Sequence, residues 1–189
     1  MVIGDQFVWA HLGKAGGNST HKMFEIIDNG TLIIDPVSEP RKHRAFSPSL
    51  EGKVRVLNFR RLHKWIASHN AHMARHRGLE NPDEITEQGL VWWPTKPPTP
   101  ADYCLELFEY QTIKHWIRVE FMANDFIDVV GRFLPISDGQ KTALFNVHEN
   151  KAPKKTIPPD NQSTLTKEAY ERNPVWVSLE KRLYEADCG

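Results

Sequence analysis

Apolar positions fall into two rhythms along this chain. Phe7-Val8-Trp9-Ala10 is an unbroken apolar run of strand length, the pattern of a strand covered on both faces. Thr20, Met23, Phe24 and Ile27 then recur at i, i+3, i+4 and i+7, one face of a helix that Asn29-Gly30 ends. Thr31–Ile34 predicts a second, short strand, and residues 35–48 an irregular stretch with prolines and the basic cluster Arg41-Lys42-His43-Arg44. Val54, Val56 and Leu57 predict a strand running into Arg60-Arg61, followed by a helix with Leu62, Trp65, Ile66 and Met73 on one face. Gly78–Pro100 reads as a long connection with one helical turn near Pro82–Gln88. Its end, Trp92–Pro100, is too proline-rich for regular structure. Beyond it the pattern predicts a helix over Tyr103–Tyr110 with Asp102 as its cap, then a strand over Lys114–Phe121. A helix over Ala123–Leu134 faces inward with Phe126, Val129, Val130 and Phe133, and helices over Leu165–Arg172 and Val175–Tyr184 close the chain. This order predicts an α/β fold with a mainly parallel sheet flanked by helices.

The length suits one domain over residues 1–189 with a substantial core. The 24 basic and 24 acidic side chains cancel, which argues against a broad nucleic-acid footprint but leaves room for a local basic pocket. Cys104 and Cys188 form no metal or redox motif and point to a reducing compartment. No signal-peptide pattern opens the chain, and no apolar run reaches the roughly 20 residues a membrane span needs. The expectation is a cytoplasmic protein with no membrane or nucleic-acid partner.

Candidate chemistry concentrates in His11-Leu12-Gly13-Lys14-Ala15-Gly16-Gly17-Asn18-Ser19-Thr20. A strand, a glycine-bearing loop with one lysine, and a helix opened by hydroxyl residues make an anion cradle. Glycines let successive amides turn inward, and the first-turn amides carry the positive end of the helix dipole. A Walker A loop is disfavoured by Val8, five positions before the Gly13-Lys14 pair, and by Ala15 directly after it, which leaves a nucleotide kinase as a third and weaker reading. His69, His72 and His76 share a helix at i, i+3 and i+7, but no further ligand is marked. They read as a solvated basic face, and no metal is expected.

The segment HLGKAGGNS resembles the 5'-phosphosulfate loop of sulfotransferases that use 3'-phosphoadenosine 5'-phosphosulfate (PAPS), in their carbohydrate-type branch, where it is often written HIPKTGGTS. The resemblance implies a P-loop-like sulfotransferase fold with the cofactor at the carboxyl ends of the strands. It also implies that Lys14, Ala15, Gly16, Gly17, Asn18 and Ser19 bind the phosphosulfate. Gly13 stands where the family usually has proline. Downstream, the junction from VRVLNF through Arg60 to Ser68 is similar to the family's 3'-phosphate motif, F-V-R-D-P-x-x-R-x-x-S. Arg60 and Ser68 keep the eight-residue spacing of its ligands, while Arg61-Leu62 replaces Asp-Pro and Trp65 replaces the second arginine.

HWIRVEFMANDFIDVV matches a further family segment through Arg118, Glu120, Asp125 and Phe126, with Glu120 a structural anchor. His148–Pro153 resembles a basic closing loop, with Lys151, Lys154 and Lys155 as candidates there. The implied reaction moves a sulfonate from PAPS to a hydroxyl or amine of a small-molecule or carbohydrate acceptor, leaving adenosine 3',5'-bisphosphate. Lys14 would stabilise the bridging oxygen. His43, in the basic loop where relatives place a Lys-His pair, is the candidate base, with Glu39 in reserve. A non-catalytic PAPS- or nucleotide-binding relative is the alternative, motivated by the altered second motif.

Overall fold

The computed structural model describes residues 1–36, 43–147 and 165–185. In chain order the elements are β1 (Val2–Ile3), β2 (Phe7–Ala10), α1 (Gly17–Ile27), β3 (Ile33–Ile34), β4 (Val54–Phe59), α2 (Leu62–Arg77), α3 (Pro82–Glu87), β5 (Leu90–Trp93) and β6 (Lys96–Pro100). There follow α4 (Asp102–Leu107), β7 (His115–Arg118), α5 (Met122–Val130), α6 (Asp138–Phe145), α7 (Lys167–Glu171) and α8 (Pro174–Glu185). Two compact units divide the chain: Met1–Phe59 with Glu109–Thr156, and Arg60–Phe108 with Ile157–Gly189.

The first unit is a mixed sheet in the order β3-β1-β2-β4-β7. Phe7 to Ala10 pair in parallel with Val54 to Leu57, and Val56 to Phe59 with His115 to Arg118. The expectation of a mainly parallel sheet is corrected by β1, which lies antiparallel to both β2 and β3. The cause is local. Gly4, Asp5 and Gln6 are too few for a crossover, so the chain doubles back as a hairpin closed by the Gly4 amide donating to the Phe7 carbonyl at 3.0 Å. Two residues make too short a run for β1 to be legible by period.

Phe7, Trp9, Val56 and Ile117 share a core with Met23, Phe24 and Ile27 of α1, Phe126, Val129 and Val130 of α5, and Leu144 of α6. The helix face expected on α1 is the one buried. Helix α6 carries weak apolar periodicity. What fixes its start is a capping box, in which the Ser137 side chain and the Gln140 side chain each bond the other's backbone amide.

In the second unit, Trp92–Pro100 is regular after all. Strands β5 and β6 pair Leu90 with Pro100, Val91 with Thr99, and Trp93 with Lys96. Prolines are tolerated because a two-stranded ribbon consists of edges, where a strand need not donate on both sides. Asp102 also departs from expectation. Its carboxylate accepts the Val175 and Trp176 amides at 2.8 Å each, so it caps α8 rather than α4. Burial raises its pKa, and the two backbone donors pull it back. His69 is buried rather than solvated, its Nε2 bonded to the Trp92 carbonyl oxygen at 3.1 Å.

Candidate anion-binding site

Because β2, β4 and β7 run parallel, their carboxyl ends lie together at one edge of the first unit. The chain leaves β2 through His11–Gly16 and enters α1. Lys14 has φ 62° and Gly16 φ 73°, while Ala15 between them and Gly17 after them stay out of the left-handed region. Backbone of alternating hand can turn successive amides to one side, as in an anion nest, with the Ala15 amide itself donating to the Leu12 carbonyl at 3.3 Å. The Lys14 conformation costs about 1–3 kcal/mol for a residue with a side chain, strain of a kind concentrated at functional sites. Gly16 needs its freedom doubly, since a Cβ there would also strike the Met122 side chain. Gly17 does not. Its hydrogen is required because the His11 ring packs against it.

At the entrance to α1, Gly16 is the N-cap without a side-chain cap bond, and the first turn carries no acid. Helix geometry gives the first-turn amides of Gly17 and Asn18 no acceptor one turn back. Lys14, Asn18 and Ser19 are half-buried and Ala15 is fully buried.

Beneath the loop sits Asn58 of β4, fully buried. Its Oδ1 accepts from the Trp9 indole at 2.7 Å. Its Nδ2 donates to the Ala15 carbonyl at 2.8 Å and to Thr20 Oγ1 at 2.7 Å. Thr20 in turn meets the Gly16 carbonyl through its amide at 3.1 Å and its hydroxyl at 3.3 Å. Sequence reasoning passed over Asn58, although a lone amide inside the apolar strand VRVLNF is itself the signal: a buried amide must be hydrogen-bonded.

His43 lies beside this loop. Its Nδ1 is 3.0 Å from the His11 carbonyl oxygen, and its ring meets the His11 ring edge-on at 4.4 Å. A carbonyl only accepts, so Nδ1 donates, and in the neutral form of the ring Nε2 is the unprotonated nitrogen. Arg44, next in sequence, pairs with Asp35 at 2.7 Å. At the end of β7 the Arg118 guanidinium makes a two-point contact with Asp125, at 2.8 and 2.9 Å, with its amide on the same carboxylate at 2.7 Å. That anchors the Val119–Phe121 turn, whose Val119 borders Gly16.

The structure therefore brings Lys14, Ala15, Gly16, Gly17, Asn18, Ser19 and His43 together in the first unit. Arg60 and Ser68 belong to the second unit. The Arg60 carbonyl accepts from the Trp176 indole at 3.0 Å, and Ser68 is half-buried in the second turn of α2. The Glu180 carboxylate accepts the Leu62 amide at 2.8 Å and pairs with Arg61 at 3.4 Å, so an acid of this chain already occupies the entrance to α2. Trp65, in the place of the family's second arginine, is buried against Trp176. Glu39, Arg41, Lys42, the His148–Pro153 segment with Lys151, and Lys154 and Lys155 lie outside the described residues.

Other chemistry is thin. Burial pushes the Cys104 thiol up to about 12, far from a nucleophile's range. Among the described residues no group of three His, Cys, Asp or Glu is placed to hold a metal, and no helix is long and apolar enough to cross a membrane. An open hollow of about 340 Å³, lined by Lys53, Arg55, Thr112 and Lys114 among others, lies at the amino ends of β4 and β7, opposite the loop. No family model, curated protein or solved structure matches this chain.

Proposed function

We propose that this chain is a sulfotransferase that moves a sulfonate from PAPS to a hydroxyl or amine of a small-molecule or carbohydrate acceptor, on a P-loop-like sulfotransferase fold. The observation that carries the reading is the alternating-hand loop at the end of β2. It joins a lysine, a nest of amides and an uncapped helix start within one turn of chain. Its resemblance to the phosphosulfate loop supplies the chemical class.

In the proposed reaction the acceptor oxygen or nitrogen attacks sulfur, and the bond from sulfur to the bridging phosphate oxygen breaks. Adenosine 3',5'-bisphosphate leaves. Transfer of this kind asks the protein for positioning and charge stabilisation more than covalent help. The amides of Gly16 to Ser19 hold the 5'-phosphate. Lys14 meets the charge that grows on the bridging oxygen, and His43 Nε2 takes the acceptor proton. Arg60 and Ser68 are the proposed ligands of the 3'-phosphate.

A second reading, a non-catalytic PAPS- or nucleotide-binding relative, is favoured by one observation: Glu180 at the entrance to α2 supplies from within the negative charge that a 3'-phosphate would bring. Incubation with PAPS and pooled hydroxyl and amine acceptors, read by mass spectrometry, separates the two. Sulfonated product with release of adenosine 3',5'-bisphosphate is the expected result. Binding without transfer would favour the second reading, and preference for ATP with magnesium would remove both.

A further inference from the structure

Resting on the proposed phosphosulfate site, we infer that Asn58 is the positioning residue that aims the loop's amides at the anion. In a trans peptide the carbonyl and the amide of one plane point in opposite directions, and the chain has no cis bond among its described residues. Asn58 Nδ2 draws the Ala15 carbonyl down into the sheet, so the Gly16 amide of the same plane faces outward. Thr20, itself held by the other Asn58 amide hydrogen, draws down the Gly16 carbonyl and so turns out the Gly17 amide. With Oδ1 toward the Trp9 indole and Nδ2 toward the Ala15 carbonyl, a flip of the side chain would lose both of those bonds. One buried amide on β4 thus keeps two carbonyls out of the nest and two donors in it. It touches no ligand atom itself.

Asn58→Asp is the sharpest test. The carboxylate keeps the size of the amide and can still accept from Trp9 and Thr20. It has no hydrogen for the Ala15 carbonyl, and two oxygens would face each other in a buried site. The Ala15 plane should then rotate and present its carbonyl to the anion. Thr20→Val removes only the second link and serves if the first variant does not fold. Trp9→Phe removes a bond of the same network that does not reach the loop.

The experiment follows the Gly16 and Gly17 amide resonances of the full ¹⁵N-labelled chain during titration with adenosine 3',5'-bisphosphate, adenosine 3'-monophosphate and inorganic pyrophosphate. In the wild type the two amides shift with the bisphosphate and the 5'-phosphate strengthens binding. In Asn58→Asp the shifts are lost, and that strengthening falls by about tenfold or more, the scale of a hydrogen bond to a charged group. Thr20→Val shows a smaller fall at Gly17, and Trp9→Phe leaves the advantage of the 5'-phosphate intact. Equal shifts in wild type and Asn58→Asp overturn the inference, as does an equal fall in Trp9→Phe, which would mark Asn58 as merely structural. Wild-type amides that respond to no anion overturn it too. Amides that respond to pyrophosphate with no preference for the nucleotide leave it standing and remove the sulfotransferase reading instead.

Discussion

The entrances to α1 and α2 make an instructive pair. Each follows a parallel strand of the same sheet, each lacks an acid in its first turn, and neither N-cap side chain closes the helix. Their surroundings differ in sign. At α1 the turn carries Lys14, and the Ala15 and Gly16 carbonyls are held beneath the loop by Asn58 and Thr20. At α2 the Glu180 carboxylate from α8 accepts the Leu62 amide, and Arg61 pairs with it while lying over the Tyr184 ring. In the proposed function the dipole of α1 is met by an outside anion, whereas that of α2 is answered from within by Glu180. In the sequence the first motif matched in register, and the second kept the spacing of Arg60 and Ser68 while Arg61-Leu62 and Trp65 departed from it. The difference arises from Asn58, which stands in the strand of the second motif but bonds the loop of the first, and from Glu180, which lies outside both.

This comparison breaks most readily at the α1 end. His43→Ala should lower turnover by about 10²–10⁴-fold, the contribution of a positioned base, with adenosine 3',5'-bisphosphate binding nearly unchanged. Near-normal transfer in steady-state kinetics would return His43 to an exposed loop residue. Lys14→Ala should lower turnover by about 10²–10³-fold with a smaller effect on binding. A raised KM at normal turnover would make Lys14 a ground-state ligand. Lys14→Gly should lose activity equally, yet melt no lower than Lys14→Ala, because glycine relieves the left-handed strain at φ 62°.

At the α2 end the expected effects are smaller. Arg60→Ala should cost about 1.5–3 kcal/mol of adenosine 3',5'-bisphosphate binding by calorimetry, with little change for 5'-AMP. Glu180→Gln keeps an acceptor for the Leu62 amide and removes the charge. It should strengthen bisphosphate binding by about 0.3–1 kcal/mol, the worth of one charge at a helix end. Unchanged affinity would mean that Glu180 does not compete with the nucleotide, and the contrast between the two entrances would lose its functional meaning.

The sequence was most legible where one physical effect dominated. Phe7–Ala10 and the Met23, Phe24, Ile27 face have no plausible place except a core, and the structure buries them there. The parallel pairing of β2, β4 and β7 followed from the helices between them. Legibility failed where a distant residue decided the outcome. Nothing in Val2–Ile3 announces a strand until β2 offers an antiparallel partner. Pro97, Pro98 and Pro100 argued against a strand until the ribbon gave them edge positions. Asp102 looked like a local cap because its true partners, the amides of Val175 and Trp176, are far along the chain. At the site, Lys14 and the glycines were readable from their order. The reason for Gly17 was not, because it depends on the His11 ring rather than on φ.

The measurement that bears most directly on the account is calorimetry of one protein sample with adenosine 3',5'-bisphosphate, 5'-AMP and ATP with magnesium. The bisphosphate should bind at least about tenfold more tightly than either of the others, since the proposed function assigns its 3'-phosphate to Arg60 and Ser68. Equal affinity for the bisphosphate and 5'-AMP, or tighter binding of ATP with magnesium, would contradict it.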